Sequence, residues 1–292
     1  MIPGMSGDPQ VYLNGEFTPL SQAKVSVLDR GFIFGDGIYE VVPVYGRKPF
    51  RMGHHLARLR RSLEAVRIAN PHDQAGWEDL VGKLIATSDA PDQIVYLQVT
   101  RGVARRDHAF PADAVPTVFG MATPFAWPGA ELREQGVRAV SMPDERWLHC
   151  EIKSTSLLGN VLARQFAVDR DAVETVMFRD GFLSEGSSSN VWVVKNGVLV
   201  APERNHLILE GIRYGFIQEM AAARGIPLEM RKIAQAEVEA ADELMLSSAT
   251  KEILPIVSLD GKPVGAGRPG PVYAQLRQSY DEAIAALARR VG

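Results

Sequence analysis

The chain has 292 residues, with 32 lysines and arginines against 35 aspartates and glutamates, a formal net charge of −3 and one cysteine. This length suffices for about two domains, and the near balance of charge argues against a nucleic-acid-binding protein. No stretch approaches the ~20 apolar residues needed to span a bilayer, and the lone Cys150 cannot form a disulfide within the chain. We therefore expect a soluble, cytoplasmic protein that binds neither nucleic acid nor membrane.

In the N-terminal part, strand and helix patterns alternate. VYLNGEFTPL carries Asn14-Gly15, the pair preferred in two-residue hairpin turns, between alternating apolar residues. IYEVVPVYGRKPF predicts a second hairpin, and HHLARLRRSLEAVRI spaces its leucines as an amphipathic helix with a basic outer face. QAGWEDLVGKLIATS predicts another helix, and QIVYLQVTRG predicts a buried strand that ends at Arg101-Gly102.

The segment ATPFAWPGAEL is interrupted by two prolines and a glycine and indicates an interdomain linker. We therefore predict an N-terminal domain of residues 1–125, a linker of residues 126–132 and a C-terminal domain of residues 133–292. In the latter, VRAVSMPDERWLHCEIK predicts a strand approaching Lys153. LLGNVLARQFAVDR predicts a helix with a continuous apolar face, and the strand and helix patterns that follow complete a mixed α+β chain.

Several familiar motifs are absent. The chain has no P-loop, no dinucleotide-binding GxGxxG, no HExxH and no CxxC, so we predict no metal site. The adjacent His54 and His55 point about 100° apart on a helix, which favours surface or cap residues over a pair of ligands.

Lys153 precedes Ser154, Thr155 and Ser156 at a predicted strand-to-helix junction. A lysine is most often a solvated surface charge. At the end of a buried strand it can instead lose its hydration, which favours the neutral amine that attacks a carbonyl. The residues alone leave both interpretations open.

Residues 185–190 (EGSSSN) join two predicted strands. They form either a polar turn or a functional loop with exposed amides and hydroxyls. In the functional interpretation, Glu185 faces the ring nitrogen of a pyridine cofactor and keeps it protonated, so that the cationic ring accepts electrons.

Two basic segments are candidates for binding anions. On the basic helix most arginines are expected in solvent, and one that faces inward, such as Arg58, could bind a phosphate. The helix start after Gly211 offers free N–H groups to the same kind of ligand. Residues 105–108 (RRDH) form either an exposed basic turn or a carboxylate site in which Arg106 and His108 face one small substrate.

Taken together, seven segments resemble the fold-type IV pyridoxal-phosphate enzymes. They are LDRGFIFGDGIYEVV, HHLARL, QVTRGVARRDHAF, RWLHCEIKSTSLLGNVLA, EGSSSNVW, ILEGI and DELMLSSATKEILP. This group includes branched-chain and D-amino acid aminotransferases and aminodeoxychorismate lyases, and the chain is most similar to the D-amino acid aminotransferases. The resemblance implies an α+β fold with a smaller α/β N-terminal domain and a larger, pseudo-barrel C-terminal domain that binds pyridoxal 5'-phosphate.

The resemblance also implies roles for individual residues. Lys153 would form the Schiff base with the cofactor and move the Cα proton, Glu185 would contact the pyridine nitrogen, and Arg58 would bind the phosphate. The substrate α-carboxylate would be bound by Tyr39, Arg106 and His108. Further cofactor contacts are implied for Tyr39, Ser188, Leu209, Ile212, Arg213, Ser248 and Ala249. In the family the loop that corresponds to residues 105–108 reaches in from a partner subunit, which implies a homodimer.

Three positions depart from the family pattern. Arg213 and Ala249 stand where the family usually has threonines that contact the phosphate. Backbone amides at both positions could still donate, and Arg213 adds a cation. Leu158 stands where branched-chain enzymes tend to carry a tyrosine, which weakens the branched-chain interpretation.

The activity implied by the resemblance is a ping-pong transamination of D-amino acids, of the type D-alanine plus 2-oxoglutarate to pyruvate plus D-glutamate. The alternatives within the same fold are an aminotransferase for L-branched-chain acids or (R)-amines and an aminodeoxychorismate lyase. A non-catalytic homologue is a further alternative.

Overall fold

The computed structural model describes residues 7–289, apart from the side chain of Ala288. It divides into two compact units, which are residues 7–126 with Ile152–Leu157, and Trp127–Glu151 with residues 158–289. The predicted boundary differs, since it placed everything after residue 132 in the second domain. Residues 152–157 join the first unit because Ser154 pairs with Ile38 in an antiparallel bridge and Ile152 packs against that unit's core.

The first unit is built on a six-stranded antiparallel sheet in the order β2-β1-β6-β5-β3-β4. Its elements are β1 (Gln10–Leu13), β2 (Glu16–Pro19), α1 (Arg30–Phe34), β3 (Gly37–Tyr45), β4 (Lys48–Pro49), α2 (Met52–Ala65), α3 (Gln74–Ala86), β5 (Gln93–Thr100) and β6 (Thr117–Pro124). The predicted hairpin at Asn14-Gly15 is confirmed, because Leu13 pairs with Glu16 across these two residues. The leucines of α2 lie in one core with α3 and the sheet, as their spacing predicted.

The second unit contains a nine-stranded mixed sheet. Along the path β12-β11-β10-β13-β14-β7-β8-β9 each strand is bonded to the next, and β15 pairs with β14. Its elements are α4 (Ala130–Gln135), β7 (Val137–Pro143), α5 (Leu158–Val168), β8 (Glu174–Arg179), β9 (Phe182–Gly186), β10 (Asn190–Lys195), β11 (Val198–Ala201), α6 (Ile212–Ala223), β12 (Leu228–Met230), α7 (Gln235–Glu239), β13 (Glu243–Ser248), β14 (Glu252–Leu259), β15 (Lys262–Pro263) and α8 (Pro271–Arg289). The edge strand β9 turns directly into β10 near the opposite edge, so the sheet curls back on itself. Among residues 7–289, every helix is too short or too polar to span a bilayer.

The strand predicted to approach Lys153 is shorter than expected. β7 ends at Pro143, and the chain from there to Lys153 lies outside the named strands and helices. Side-chain and loop contacts hold this segment, including the hydrogen bond from the Cys150 amide to the His206 carbonyl at 2.8 Å. Lys153 therefore follows an irregular segment, and its position depends on contacts with β3.

Helix α5 is present as predicted, but its apolar face is not buried within the chain. Leu158, Val161 and Leu162 are 72%, 58% and 61% exposed, whereas the helix buries the small residues Ala163 and Ala167. The apolar spacing thus identified the helix correctly. The spacing did not predict which face of α5 packs against β8 and β7.

Gly102, two residues after the end of β5, lies against the last residues of the loop that follows. Gly102 has a φ of +93°, and a Cβ at this position would lie 1.9 Å from the Val115 carbonyl oxygen. We expect Gly102→Ala to lower the unfolding free energy by more than about 1 kcal/mol in urea denaturation, because both the backbone and the space are incompatible with alanine. The control Gly82→Ala, in open space on α3, should raise it by roughly 0.5–1 kcal/mol. Equal stability of Gly102→Ala and wild type would show that the loop does not pack tightly against Gly102.

Candidate active site

Lys153 lies beside Tyr39 in the first unit. The Tyr39 amide on β3 donates to the Lys153 carbonyl at 3.0 Å, and the lysine Nζ lies 4.1 Å from the centroid of the Tyr39 ring. The next turn of the chain is fixed as well, because the Thr155 amide donates to the Gly37 carbonyl at 2.9 Å. Gly35 permits this approach, since a Cβ there would lie 2.6 Å from the Ser156 hydroxyl. The amine is therefore presented by a short segment that is hydrogen-bonded to β3 at Lys153 itself and at Thr155, two residues later.

Arg58 belongs to a buried charged cluster around Glu40, the residue that follows Tyr39 on β3. Its guanidinium donates to both oxygens of Glu40, from Nε at 2.6 Å and from Nη2 at 2.9 Å. The His55 Nδ1 lies 2.8 Å from the second Glu40 oxygen. Burial alone would raise the pKa of Glu40, but the charge and hydrogen bonds of Arg58, together with His55, hold that pKa well below its usual range.

This cluster corrects one expectation and supports another. His55 is buried and bonded to Glu40, so the prediction of a surface or cap residue is wrong for His55, while His54 is exposed. Of the arginines on this basic segment, Arg58 is buried, whereas Arg60, Arg61 and Arg67 are exposed. The inward-facing arginine that the sequence predicted is thus Arg58.

Arg106 and His108 meet over one aromatic ring. The Arg106 guanidinium lies 5.4 Å from the centroid of Phe34, and the His108 ring centroid lies at the same distance from it. Both side chains are exposed. The structure therefore brings these two predicted carboxylate ligands together. Within residues 7–289 neither forms a hydrogen bond with Tyr39.

Glu185 is the centre of a second charged cluster, in the second unit. It is 5% exposed and accepts hydrogen bonds from Arg146 Nη1 at 2.6 Å, from the Leu209 amide at 3.0 Å and from Asn190 Nδ2 at 3.3 Å. Burial raises the pKa of Glu185 to about 7, and the charge and hydrogen bond of Arg146 oppose this rise. Arg146 is itself held in a fork by Asp144, which accepts from its Nε and Nη2 at 2.9 Å.

The EGSSSN turn is organised around Glu174 on β8. This carboxylate has no exposed surface and accepts from the amide and hydroxyl of Ser187, and from the Ser189 hydroxyl at 2.7 Å. Lys251 Nζ donates to Glu174 at 2.7 Å and to the Ser188 hydroxyl at 2.9 Å. The segment is thus more than a solvated polar turn, because a buried ion pair fixes its serines.

The start of α6 adjoins the Glu185 cluster. Asn190 donates to the Leu209 carbonyl at 2.8 Å and accepts from the Gly211 amide at 3.2 Å. No side chain within the described residues caps the first turn of α6, which begins at Ile212. N–H groups of this kind suit an anion.

Arg213 and Ala249, which stand where the family usually has threonines, lie in different surroundings. The side chain of Arg213 is buried and donates to the Tyr280 hydroxyl on α8, at 3.2 Å from Nε and 3.0 Å from Nη2. Its charge is therefore engaged with α8. Ala249 follows the end of β13, where the Ser248 hydroxyl accepts from the Lys251 amide at 3.1 Å. Contacts by Arg213 and Ala249 to a cofactor would then be made by backbone amides, whereas the cation that the sequence expected Arg213 to add is directed to Tyr280.

Comparison with known proteins identifies the family of this chain. The family model for class IV amino-transferases matches residues 37–259. The chain belongs to the class IV aminotransferase family. A D-alanine aminotransferase from Staphylococcus aureus (strain MSSA476) is 39% identical to this aminotransferase over 276 residues, which cover 94% of this chain and 98% of that protein.

Solved structures support the fold of this aminotransferase. The branched-chain amino acid aminotransferase of Escherichia coli superimposes with a TM-score of 0.91 at 25% identity, covering 98% of this chain and 97% of that chain. The branched-chain aminotransferase of the archaeon Thermoproteus uzoniensis, solved with norvaline, gives a TM-score of 0.89 at 26% identity and covers 97% of both chains. The predicted α+β, fold-type IV architecture is confirmed.

Several residues that organise the site of this aminotransferase were not identified from the sequence. Glu40 and His55 orient Arg58, while Arg146 and Asp144 surround Glu185. One signal was available for Glu174, which opens the strand ETVMFR with its apolar run at residues 176–178. An acidic residue in such a strand is rarely buried without a partner. For Arg146 the neighbouring Asp144 accounts for one ion pair, and nothing in the sequence indicates the other, because Glu185 lies 39 positions away.

The pKa of Glu185 predicts how pH affects the stability of the apoprotein. It rises from an ordinary 4.5 to about 7 in the folded state, so folding is favoured by proton binding. This contribution is complete below about 4.5 and is lost as pH rises towards about 7. In urea denaturation, the unfolding free energy of wild type should therefore fall more steeply across this range than that of Glu185→Gln. The exposed control Glu64→Gln should keep the wild-type slope, and parallel profiles for Glu185→Gln and wild type would refute the prediction.

Proposed function

We propose that this chain is a pyridoxal-phosphate-dependent D-amino acid aminotransferase that exchanges the amino group of D-alanine with 2-oxoglutarate. One observation carries the proposal. In a chain 39% identical to a D-alanine aminotransferase, the Lys153 amine lies 4.1 Å from the Tyr39 ring, and Arg106 and His108 lie beside the same Phe34 ring, on the loop that the family resemblance assigns to the site of a partner subunit. The single cysteine is consistent with a cytoplasmic location.

The surroundings of Glu185 fit a pyridine cofactor. A carboxylate offers about four lone-pair positions, and Glu185 accepts from three donors, Arg146, Leu209 and Asn190. The remaining position suits the N–H of a protonated ring nitrogen. Arg146 favours the ionised carboxylate that such a nitrogen requires. The residues present therefore fit pyridoxal 5'-phosphate.

Individual residues would bind the cofactor or move a proton. Bound pyridoxal phosphate supplies an aldehyde that links to amines and a ring that stores the electron pair released at Cα. Lys153 would hold the cofactor through its amine and later move the Cα proton. Glu185 would keep the ring nitrogen protonated. Arg58 and the first amides of α6, at Ile212 and Arg213, would bind the phosphate. Ser188, Leu209, Ser248 and Ala249 would complete the cofactor contacts.

Stereochemical choice would follow from where the carboxylate is bound. Tyr39, Arg106 and His108 would bind the α-carboxylate of the substrate. The hydrogen bond between the Tyr39 amide and the Lys153 carbonyl fixes the lysine relative to Tyr39. With the carboxylate on the Tyr39 side, the Cα–H of a D-amino acid would point towards Lys153. The L-enantiomer would present another group to the amine.

The experiment is a comparison of amino donors with purified protein loaded with pyridoxal phosphate. D-alanine with 2-oxoglutarate should be turned over faster than L-alanine, L-leucine or an (R)-amine, and no pyruvate should be released from aminodeoxychorismate. Lys153→Ala should lower turnover by about 10²-fold or more, because it removes both the covalent attachment and the proton carrier. The control Lys83→Ala changes an exposed lysine on α3 and should match wild type. Preference for L-leucine, or an active Lys153→Ala, would refute the proposal.

We also propose that the enzyme is a homodimer whose interface includes α5. The family resemblance implies a dimer, and the apolar residues Leu158, Val161 and Leu162 stand exposed on one helix. A second copy would remove this apolar surface from water. Trp147 and Leu148, which precede the helix, are half exposed as well and would extend the same interface.

A charge on α5 tests the dimer. Light scattering after size-exclusion chromatography should give twice the chain mass for wild type. Val161→Glu should shift the protein towards the monomer, because an unpaired carboxylate is costly to bury. Ala222→Glu places the same charge at an exposed position on α6 and should leave the dimer intact. A monomeric wild type, or a Val161→Glu variant as dimeric as wild type, would rule out this interface.

A further inference from the structure

We propose that Arg30 is a positioning residue, which orders the loop that carries Arg106 and His108 and thereby sets the affinity for the substrate carboxylate. The inference rests on the proposed function, since that function assigns Arg106 and His108 to the carboxylate. Arg30 itself lies beneath the loop and contacts its backbone. Its effect on substrate would therefore be indirect.

The contacts of Arg30 converge on three consecutive carbonyls. Arg30 opens α1 and is 3% exposed. Its Nη1 donates to the Asp107 carbonyl at 2.5 Å and to that of Ala109 at 3.4 Å, while Nη2 donates to the His108 carbonyl at 3.4 Å. Carbonyls of an irregular loop have no strand or helix to accept from. The planar guanidinium offers several donors in a fixed arrangement, so one side chain holds the backbone around His108.

The charge of Arg30 is itself anchored. Asp36 accepts from Arg30 Nε at 2.8 Å and from Arg101 Nε and Nη2 at 2.8 and 2.9 Å. Burial would raise the pKa of Asp36, yet the two arginines hold it below its usual range. Arg101 also lies 3.6 Å from the centroid of the Phe110 ring. The trio of two arginines and one aspartate keeps one net positive charge, and both arginines touch the loop.

The other end of α1 contacts the side chains of the loop. The Phe34 ring lies 4.8 Å from the Arg30 guanidinium, and it is the ring over which Arg106 and His108 meet. Helix α1 therefore holds the loop twice, through the carbonyls at Arg30 and through the side chains at Phe34. The start of the loop is also fixed, because the Arg30 amide donates to the Gly102 carbonyl at 2.9 Å.

A role of Arg30 in carboxylate affinity and a role in overall stability predict different kinetic and hydrogen-exchange results. If Arg30 orders the loop, its loss raises the Michaelis constants for D-alanine and 2-oxoglutarate, which both carry the α-carboxylate, and leaves kcat nearly unchanged. It also speeds hydrogen exchange of the amides of residues 103–115 without speeding exchange across the sheet. A purely structural residue would speed exchange throughout the first unit.

The experiment compares four proteins with wild type. Arg30→Met removes the guanidinium donors, and Arg30→Lys keeps the positive charge without the planar set of donors. Arg106→Ala removes a proposed ligand without touching the carbonyl contacts. The control Arg47→Met removes an arginine that donates to the carbonyls of Ser88 and Ile85, elsewhere in the same unit. Each protein is studied by hydrogen exchange without cofactor and by steady-state kinetics with it.

We expect Arg30→Met to raise both Michaelis constants about tenfold, the factor that corresponds to one hydrogen bond to a charged group, and to speed exchange in residues 103–115. Arg30→Lys should fall between Arg30→Met and wild type. Arg106→Ala should raise the Michaelis constants and speed loop exchange less than Arg30→Met does, because it removes one contact to Phe34 and keeps the carbonyl contacts. Arg47→Met should change neither readout.

The inference is overturned if Arg30→Met leaves loop exchange and the Michaelis constants at wild-type values. It is also overturned if exchange rises evenly across the first unit, or if Arg47→Met gives the same pattern. Should Arg30→Met fail to fold, Arg30→Lys decides by the same readouts. Failure of the proposed function looks different, since wild type would then not transaminate D-alanine while exchange of residues 103–115 would still decide whether Arg30 orders the loop.

Discussion

Buried carboxylates paired with buried cations determine how this protein can place charge away from water. An isolated ion in a protein interior is strongly disfavoured, and partners make its burial tolerable. The same solution occurs in both units, with Glu40 between Arg58 and His55, and Glu185 against Arg146. Each pair fixes the direction of a functional group as well as its charge. The orientation of Arg58 and the ionisation of Glu185 are thus properties of their neighbours.

The sequence predicted features that depend on local chemistry. The Asn14-Gly15 turn and helix α2 follow from residues a few positions apart, and both are present. Lys153 could be nominated because it precedes a polar junction. The features that escaped prediction include distant partners, since His55 bonds Glu40 on β3 and Arg146 joins its near neighbour Asp144 to Glu185 on β9. Nothing in the spacing of residues along the chain reports such pairs.

Helix α5 shows the limit of periodicity in a different way. A repeat of apolar residues indicates that one face avoids water, but it does not say which surface covers that face. The prediction therefore found the helix and its apolar face, while the fold of the single chain packs its small residues instead. Arg213 illustrates the same limit for charge. Its position at the start of α6 suggested a ligand for an anion, and its side chain reaches Tyr280 on α8.

The six residues around Lys153 belong to the first unit, although the segments before and after them belong to the second. The chain therefore passes from one unit to the other three times. A truncation at residue 126 would retain the whole six-stranded sheet yet discard Lys153. Because the first unit is assembled from two segments separated by part of the second unit, no single cut in the chain yields the two units as complete fragments.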